Sequence, residues 1–445
     1  MHKTKLLSIR KGFLCSKNGF FFILSLLFCV LNIAFAYLLL RTDKELQNTA
    51  AYLSASHLLE EAASNSIPHV FQGGYPESEF IGGRSWAYQE LADYVTTIAE
   101  QKGAPYAYGV LRVAPIPESI DIHLLGHAVG DVLYAQRGVD GITECAHDFR
   151  NACSHAIVTG LFSENGEAAF PEIAEICERA PGGQGAYALC YHGLGHGVLA
   201  YVGYDFSRAV SICKHAETAY YHRGAYQECV GGAVMEMLGT GSHNKALWEM
   251  QRKRYFNEEN PTALCSGLWM DDIARPTCYQ YLTPYLLIAV GSGLNGAVNE
   301  DYQKAFLLCN RIPETEVASR NACYAGFGKE FVAFVPGPSM KNASPSSLAD
   351  HQFKKIYERC LLADNIAGVR SCIRGVLNTL YWGGEYPDVA AIQFCSLIVD
   401  DTYQEACFSH LIGAVLRYVS NSSERSSFCG RLPLPYQDQC YTMLL

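Results

Sequence analysis

The chain has 445 residues, 49% of them hydrophobic, and a formal net charge of −10. The apolar share excludes a disordered chain and suffices for a large core. The acidic balance excludes nucleic acid as a partner, because binding phosphates calls for a basic surface.

Residues 1–18 form a basic tail: Lys3, Lys5, Arg10, Lys11 and Lys17 stand there, with no acid anywhere in residues 1–40. The stretch "GFFFILSLLFCVLNIAFAYLLL", residues 19–40, then runs uncharged for 22 positions. At about 1.5 Å per residue it covers a hydrocarbon layer of about 30 Å. Basic residues before it outnumber Arg41 and Lys44 just after it, which predicts a single-pass signal anchor with a cytoplasmic N-terminus. The motif "AFA" at 34–36 offers a cleaved signal peptide as the alternative, but the apolar run continues from Tyr37 to Leu40 and favours the anchor. Either way the body of the chain lies in the periplasm, a lumen or the extracellular space.

Residues 41–117 read as a helical stalk and linker. They contain "KELQNTAAYLSASHLLEEAA", a loop broken by glycine and proline, the helix "WAYQELADYVTTIAEQ" and the proline-bearing "APIPESI". Residues 118–445 form the main domain, and cysteine organises it. Of 18 cysteines, Cys15 and Cys29 lie in the tail and the apolar span. The other 16 sort into successive pairs: Cys145 with Cys153, Cys177 with Cys190, Cys213 with Cys229, Cys265 with Cys278, Cys309 with Cys323, Cys360 with Cys372, Cys395 with Cys407, and Cys429 with Cys440. An even number in an oxidising compartment reads as disulfides, and short loops favour local pairing. Zinc or iron–sulfur ligation is the alternative, disfavoured because no C-x-x-C occurs. Asn342 in "NAS" and Asn421 in "NSS" fit the glycosylation sequon, which matters only in a eukaryotic host.

The flanks of the cysteines repeat as well. After the second cysteine of a pair stand "CSHAIVTG", "CYHGLGHG", "CVGGAVME", "CYAGFGKE" and "CIRGVLNT", each opening a small-residue, apolar, helical stretch. Before the first cysteine stand short amphipathic patterns such as "YDFSRAVSIC" and "HQFKKIYERC". Each unit therefore reads as helix, cysteine, loop, cysteine, helix. "DIHLLGHAVG" at 121–130 adds an earlier unit with Asp121 in the place of cysteine. The predicted fold is all-α, a disulfide-stapled array of helical hairpins. It resembles tetratricopeptide-like solenoids in architecture, without their W-x-x-L-G-x-x-Y consensus. A closed α/α toroid, as in lanthionine cyclase-like enzymes, is the alternative, although the zinc ligands of such enzymes would need free cysteines. This resemblance assigns no function.

Histidine is the candidate chemistry. The position two after the second cysteine, or its equivalent, holds His123, His155 and His192 in three consecutive units, then Gly231, Gln280, Ala325, Arg374 and Ser409. Four residues further on stand His127, Thr159, His196, Met235, Pro284 and Lys329. A requirement of the fold would persist along the array, whereas these histidines mark one end. Imidazoles at i and i+4 share a helical face and can grip one transition metal, so His123 with His127, and His192 with His196, are candidate ligand pairs, with His155 between them. A haem held there would be non-covalent, since no C-x-x-C-H occurs. Packing or hydrogen bonding of the imidazoles to nearby carbonyls is the competing reading. Helices packed 8–10 Å apart in an open solenoid would hold the first and third units roughly 16–20 Å apart. One ion would then not reach all five histidines without strong curvature.

His147, His215 and His222 fall between paired cysteines and read as solvated, while Glu236 and Glu330 read as polar contacts between or within helices. Neither H-x-x-x-H carries the glutamate of H-E-x-x-H, and no G-x-S-x-G or phosphate-binding loop occurs. The sequence thus predicts a membrane-anchored, extracytoplasmic binding protein, with a protein partner on the groove of the array or a metal or haem on the histidines. A metal-dependent enzyme using His192 and His196 is the alternative, and a purely structural tether a third.

Overall fold

The computed structural model describes residues 74–444, apart from 118–119, 147, 221–223, 240–244, 258, 294–295, 335–346 and 382–386. The basic tail, the apolar span, residues 41–73 of the stalk and linker, His147, His222 and Asn342 lie outside the described residues. Among the described residues no strand occurs, and no helix is long and apolar enough to cross a membrane.

Eight helices organise the rest: α1 (Ile122–Arg137), α2 (Ala152–Asn165), α3 (Gly183–Tyr201), α4 (Ala225–Leu238), α5 (Arg275–Tyr281), α6 (Val317–Phe334), α7 (Ile366–Tyr381) and α8 (Asp401–Tyr418). Each packs against the next, and α8 also touches α3. Helices Tyr88–Lys102 and Ala104–Val113 pack on α1 and share its core.

Burial explains the composition of these eight. In α2 every residue from Ala152 to Phe162 except Gly160 is buried, so the helix has no polar face to alternate with an apolar one. The helices laid outside them do show a stripe. Phe170–Arg179 buries Phe170, Ile173, Ala174, Ile176 and Cys177 and turns its glutamates to water.

All eight expected cysteine pairs are disulfides, with Cα–Cα separations of 5.5–5.7 Å and loop spans of 8–16 residues. All sixteen of these cysteines are buried. In the chain-entropy account a loop of about 15 residues contributes about 3 kcal/mol by constraining the unfolded chain. Most bridges run from an outer helix to one of the eight, as from Cys177 in Phe170–Arg179 to Cys190 in α3. The last joins Cys429 on helix Ser422–Arg431 to Cys440 on helix Leu434–Leu444 and fastens the end of the chain. Asn421 is exposed and caps Ser422–Arg431, its side-chain oxygen accepting from the Ser423 and Glu424 amides.

Glycine sets how closely the eight approach one another. A Cβ on Gly195 of α3 would overlap the Cys229 carbonyl of α4, and one on Gly232 of α4 would overlap the His192 carbonyl of α3. Between α1 and α2, a Cβ on Gly126 would stand 2.7 Å from the Ala152 methyl, and one on Gly130 2.5 Å from that of Ala156. A Cβ on Gly193 of α3 would lie 2.6 Å from His155 Cα on α2. Backbones at these crossings touch directly, which places neighbouring helices near the lower limit of helix spacing.

Two outcomes follow. Gly195→Ala should destabilise by about 1–3 kcal/mol through overpacking, whereas Gly413→Ala, whose Cβ meets nothing within 4 Å, should be neutral or slightly stabilising. Equilibrium urea unfolding of both variants checks the contrast. Alkylation of the unreduced, denatured chain followed by intact mass should label Cys15 and Cys29 at most; label on any of the other sixteen cysteines contradicts the bridges.

Candidate metal centre

Helix α1 begins where Asp121 accepts the His123 amide at 3.0 Å, which fixes His123 in the first turn and His127 one turn later on the same face. Asp121 is itself held by an ion pair with Arg150. Arg150 lies in an unusual turn: Phe149, Arg150 and Asn151 have φ of 49°, 56° and 60°, three consecutive left-handed residues without a glycine. Each such residue costs roughly 1–2 kcal/mol. The turn aims the Phe149 carbonyl at His123 Nδ1, 2.6 Å away, and delivers the chain into α2.

That contact decides the tautomer of His123. With its Nδ1–H donated to the carbonyl, its Nε2 carries the lone pair, and His127 Nε2 stands 3.2 Å from it. His155 of α2 supplies the third imidazole. One ligand atom from each of His123, His127 and His155 lies within 4.8 Å of the others. Two nitrogens bound to one tetrahedral ion at about 2.0–2.1 Å stand about 3.3 Å apart, close to the His123–His127 separation. His123 and His155 are buried and His127 is half-buried, so the trio has one wet side.

The histidines of α3 join the same cluster. Ring centroids lie 5.6 Å apart for His155 and His192, 5.8 Å for His155 and His196, 5.3 Å for His192 and His196, and 5.9 Å for His127 and His196. The spacing expected of an open array therefore does not hold: imidazoles of α1 and α3 are in contact. Close approach at Gly126, Gly130, Gly193 and Gly197 draws both helices onto α2 and lets their side chains meet.

The groups behind the rings are ordered too. His196 Nδ1 donates to Glu236 of α4 at 3.1 Å, and Tyr204 donates to the same carboxylate at 3.0 Å. His192 Nδ1 is 3.4 Å from the Tyr281 hydroxyl of α5 and 3.9 Å from the Glu228 carboxylate. Outward Nδ1 contacts of this kind fix the ring orientation of metal-binding histidines and leave Nε2 as the ligand atom. His192 Nε2, His196 Nε2 and both nitrogens of His155 are buried without a hydrogen-bond partner.

Burial, first of all, holds His123, His155 and His192 well below the usual imidazole range. Arg150 and the rings of His127 and His155 add to it for His123, the rings of His192, His127 and His196 for His155, and His196 and Lys329 for His192. The Leu189 backbone weakly opposes the effect at His155. These imidazoles are neutral at physiological pH, the form that binds metal. Desolvation pushes the Glu228 carboxyl up to about 7.

The five candidate histidines are thus brought together by three helices. His215 is exposed and bonded to Glu167 at 2.8 Å, apart from the cluster. Sequence reading missed the Phe149 carbonyl, Tyr281 and Glu228, and gave Glu236 only a general polar contact. The one legible signal was that Glu236 follows a second cysteine by seven residues, one past the position that corresponds to His196. Compared with protein-family models, curated proteins and solved structures, the chain shows no match, so its chemistry rests on this geometry.

The depressed histidines give the metal-free protein an acid limit. The unfolded chain takes up protons below about pH 6.5 while the folded rings do not, so stability is complete above that value and falls as pH drops toward the folded values. The slope approaches about 1.4 kcal/mol per pH unit for each histidine. Urea unfolding between pH 7.5 and 5 should show this loss, and His155→Gln should flatten it; an unchanged slope in the variant contradicts the assignment.

Proposed function

We propose that the protein is a membrane-anchored, extracytoplasmic metalloprotein in which His123, His127 and His155 bind a first-row transition metal ion. The observation that carries this reading is the convergence of the three ligand atoms within 4.8 Å, with His123 held in its ligand tautomer by the Phe149 carbonyl. Neutral imidazole donors suit zinc, copper, nickel or iron rather than calcium or magnesium. Rings packed edge to face, 4.6 Å between the centroids of His123 and His127, support a bare ion over haem, whose flat macrocycle needs an open slot. Three ligands leave a fourth position, and the half-buried His127 marks the side from which an ion or small ligand enters.

The eight disulfides point to an oxidising compartment, in keeping with an anchor at 19–40 and a main domain outside the cytosol. For the architecture, the ordered packing of α1 to α8 supports an array of disulfide-stapled helical hairpins, and the return of α8 to α3 favours a strongly curved or closed course over an open one.

A catalytic use of the metal is favoured by one observation. The Glu228 carboxylate stands 3.9 Å from His192 Nδ1, with desolvation raising it above the usual carboxyl range, a placement from which it can give and take protons at the cluster. Glu228→Gln separates the two uses, since a binding site keeps its metal and its ligand affinity unchanged while an enzyme keeps its metal and loses turnover.

Full-length protein, purified in detergent from an oxidising compartment and desalted, should carry stoichiometric transition metal by elemental mass spectrometry. His123→Ala/His127→Ala should lower the content by one ion per chain with helicity by circular dichroism retained. Wild-type protein free of metal, even after incubation with zinc or copper, contradicts the reading.

A further inference from the structure

The first triad leaves most of the cluster unused. His155 stands between two pairs of rings, 5.6 Å from His123 and 5.6 Å from His127 on one side, and 5.6 Å from His192 and 5.8 Å from His196 on the other. Both of its nitrogens are buried and make no well-formed hydrogen bond, with the Leu189 backbone close enough to interact with the ring. A neutral imidazole offers one lone pair and one N–H, so a single ion satisfies only half of it. Beyond His155, His192 Nε2 and His196 Nε2 are also buried without partners, while their Nδ1 atoms face Tyr281 and Glu236.

We propose that this site is dinuclear: a second transition-metal ion binds His155, His192 and His196, and His155 bridges the two ions as an imidazolate. The proposal rests on the first-triad reading and extends it. The second triad is set slightly wider, with ring centroids 5.3–5.8 Å apart against 4.6–5.6 Å in the first. The balance is simple: as the second ion enters, the remaining ring N–H of His155 gives its proton to solvent, and the nitrogen lone pair so freed becomes the sixth ligand of the pair. No electron is transferred. Glu236 and Tyr204 form a chain behind His196, the carboxylate–histidine arrangement that raises the basicity of a metal-bound imidazole. The chemical class follows from the donors: all are imidazoles, which bind both zinc and copper, Cu(II) the more tightly, so a homodinuclear or mixed pair of these ions fits.

The experiment uses the full-length chain in detergent, stripped of metal and reloaded with Cu(II). Elemental analysis after desalting should give two ions per chain, and electron paramagnetic resonance should show a signal well below that of two isolated Cu(II) ions, because the imidazolate couples them. His192→Ala/His196→Ala should bind one ion and restore a full mononuclear signal. One ion per wild-type chain overturns the second site and leaves the first standing. Two ions with an undiminished, uncoupled signal overturn the bridge. No bound ion overturns the reading on which the proposal rests. The wild-type measurements decide the matter even if the double variant fails to fold.

Discussion

Direct contact between helix backbones at glycine is the constraint on which this structure depends. Gly195 and Gly232 each leave room for a carbonyl of the facing helix, and Gly126, Gly130, Gly193 and Gly197 let α1, α2 and α3 close on one another. A methyl group at any of these positions would hold the helices apart, and rings now 5.6–5.9 Å from centroid to centroid would lose contact. The same device recurs between α6 and α7, where a Cβ on Gly328 would overlap the Cys372 carbonyl and one on Gly375 the Ala325 carbonyl. No histidine of the cluster lies there. Glycine therefore belongs to the way these helices pack, and histidine was added to it at one end.

The disulfides complement this packing. A close crossing of helices fixes their spacing but does little to hold the outer segments in place, and most bridges tie such a segment to one of the eight helices. The shortest loop, between Cys145 and Cys153, encloses the turn in which Phe149, Arg150 and Asn151 are all left-handed. Its strain is opposed by the bridge and by the ion pairs of Arg150 with Asp121 and Arg112 with Asp148. A strained turn retained at such expense has a use, and the visible one is the carbonyl it aims at His123.

Local signals were the legible ones. Cysteine spacing of 8–16 residues and the small-residue motifs behind each second cysteine announced all eight bridges and the helices that carry them. The equivalence of His123, His155 and His192 in successive units announced a ladder of imidazoles. The close approach of the helices was illegible, because it depends on how a glycine in one helix meets a carbonyl some 34–40 residues away, as Gly195 meets Cys229. The contacts behind the rings were illegible for the same reason: Tyr281 is 89 residues from His192 in the chain and Glu236 is 40 from His196. Phe149 carried no signal at all, since its contribution is a main-chain carbonyl.

Packing and metal binding make opposite demands on the imidazoles, and the structure distinguishes them. A histidine kept for packing satisfies its nitrogens with carbonyls, hydroxyls or carboxylates, because a buried polar atom without a partner costs about 1–3 kcal/mol. His123, His192 and His196 do have such partners at Nδ1. On the inward side the pattern reverses: His192 Nε2, His196 Nε2 and both nitrogens of His155 are buried and unpartnered, four atoms within one small volume. Each carries the cost of a buried polar atom to the extent that it stays unpaired. Apolar side chains at the same positions would avoid that cost; the corresponding positions after later cysteines hold Gly231, Ala325, Met235 and Pro284, and also Gln280, Arg374, Ser409 and Lys329, but no histidine. Neutral imidazoles present lone pairs on this side, the donor type that a transition-metal cation accepts. The cluster packs poorly, and three of its histidines bring ligand atoms together where they could hold a metal ion.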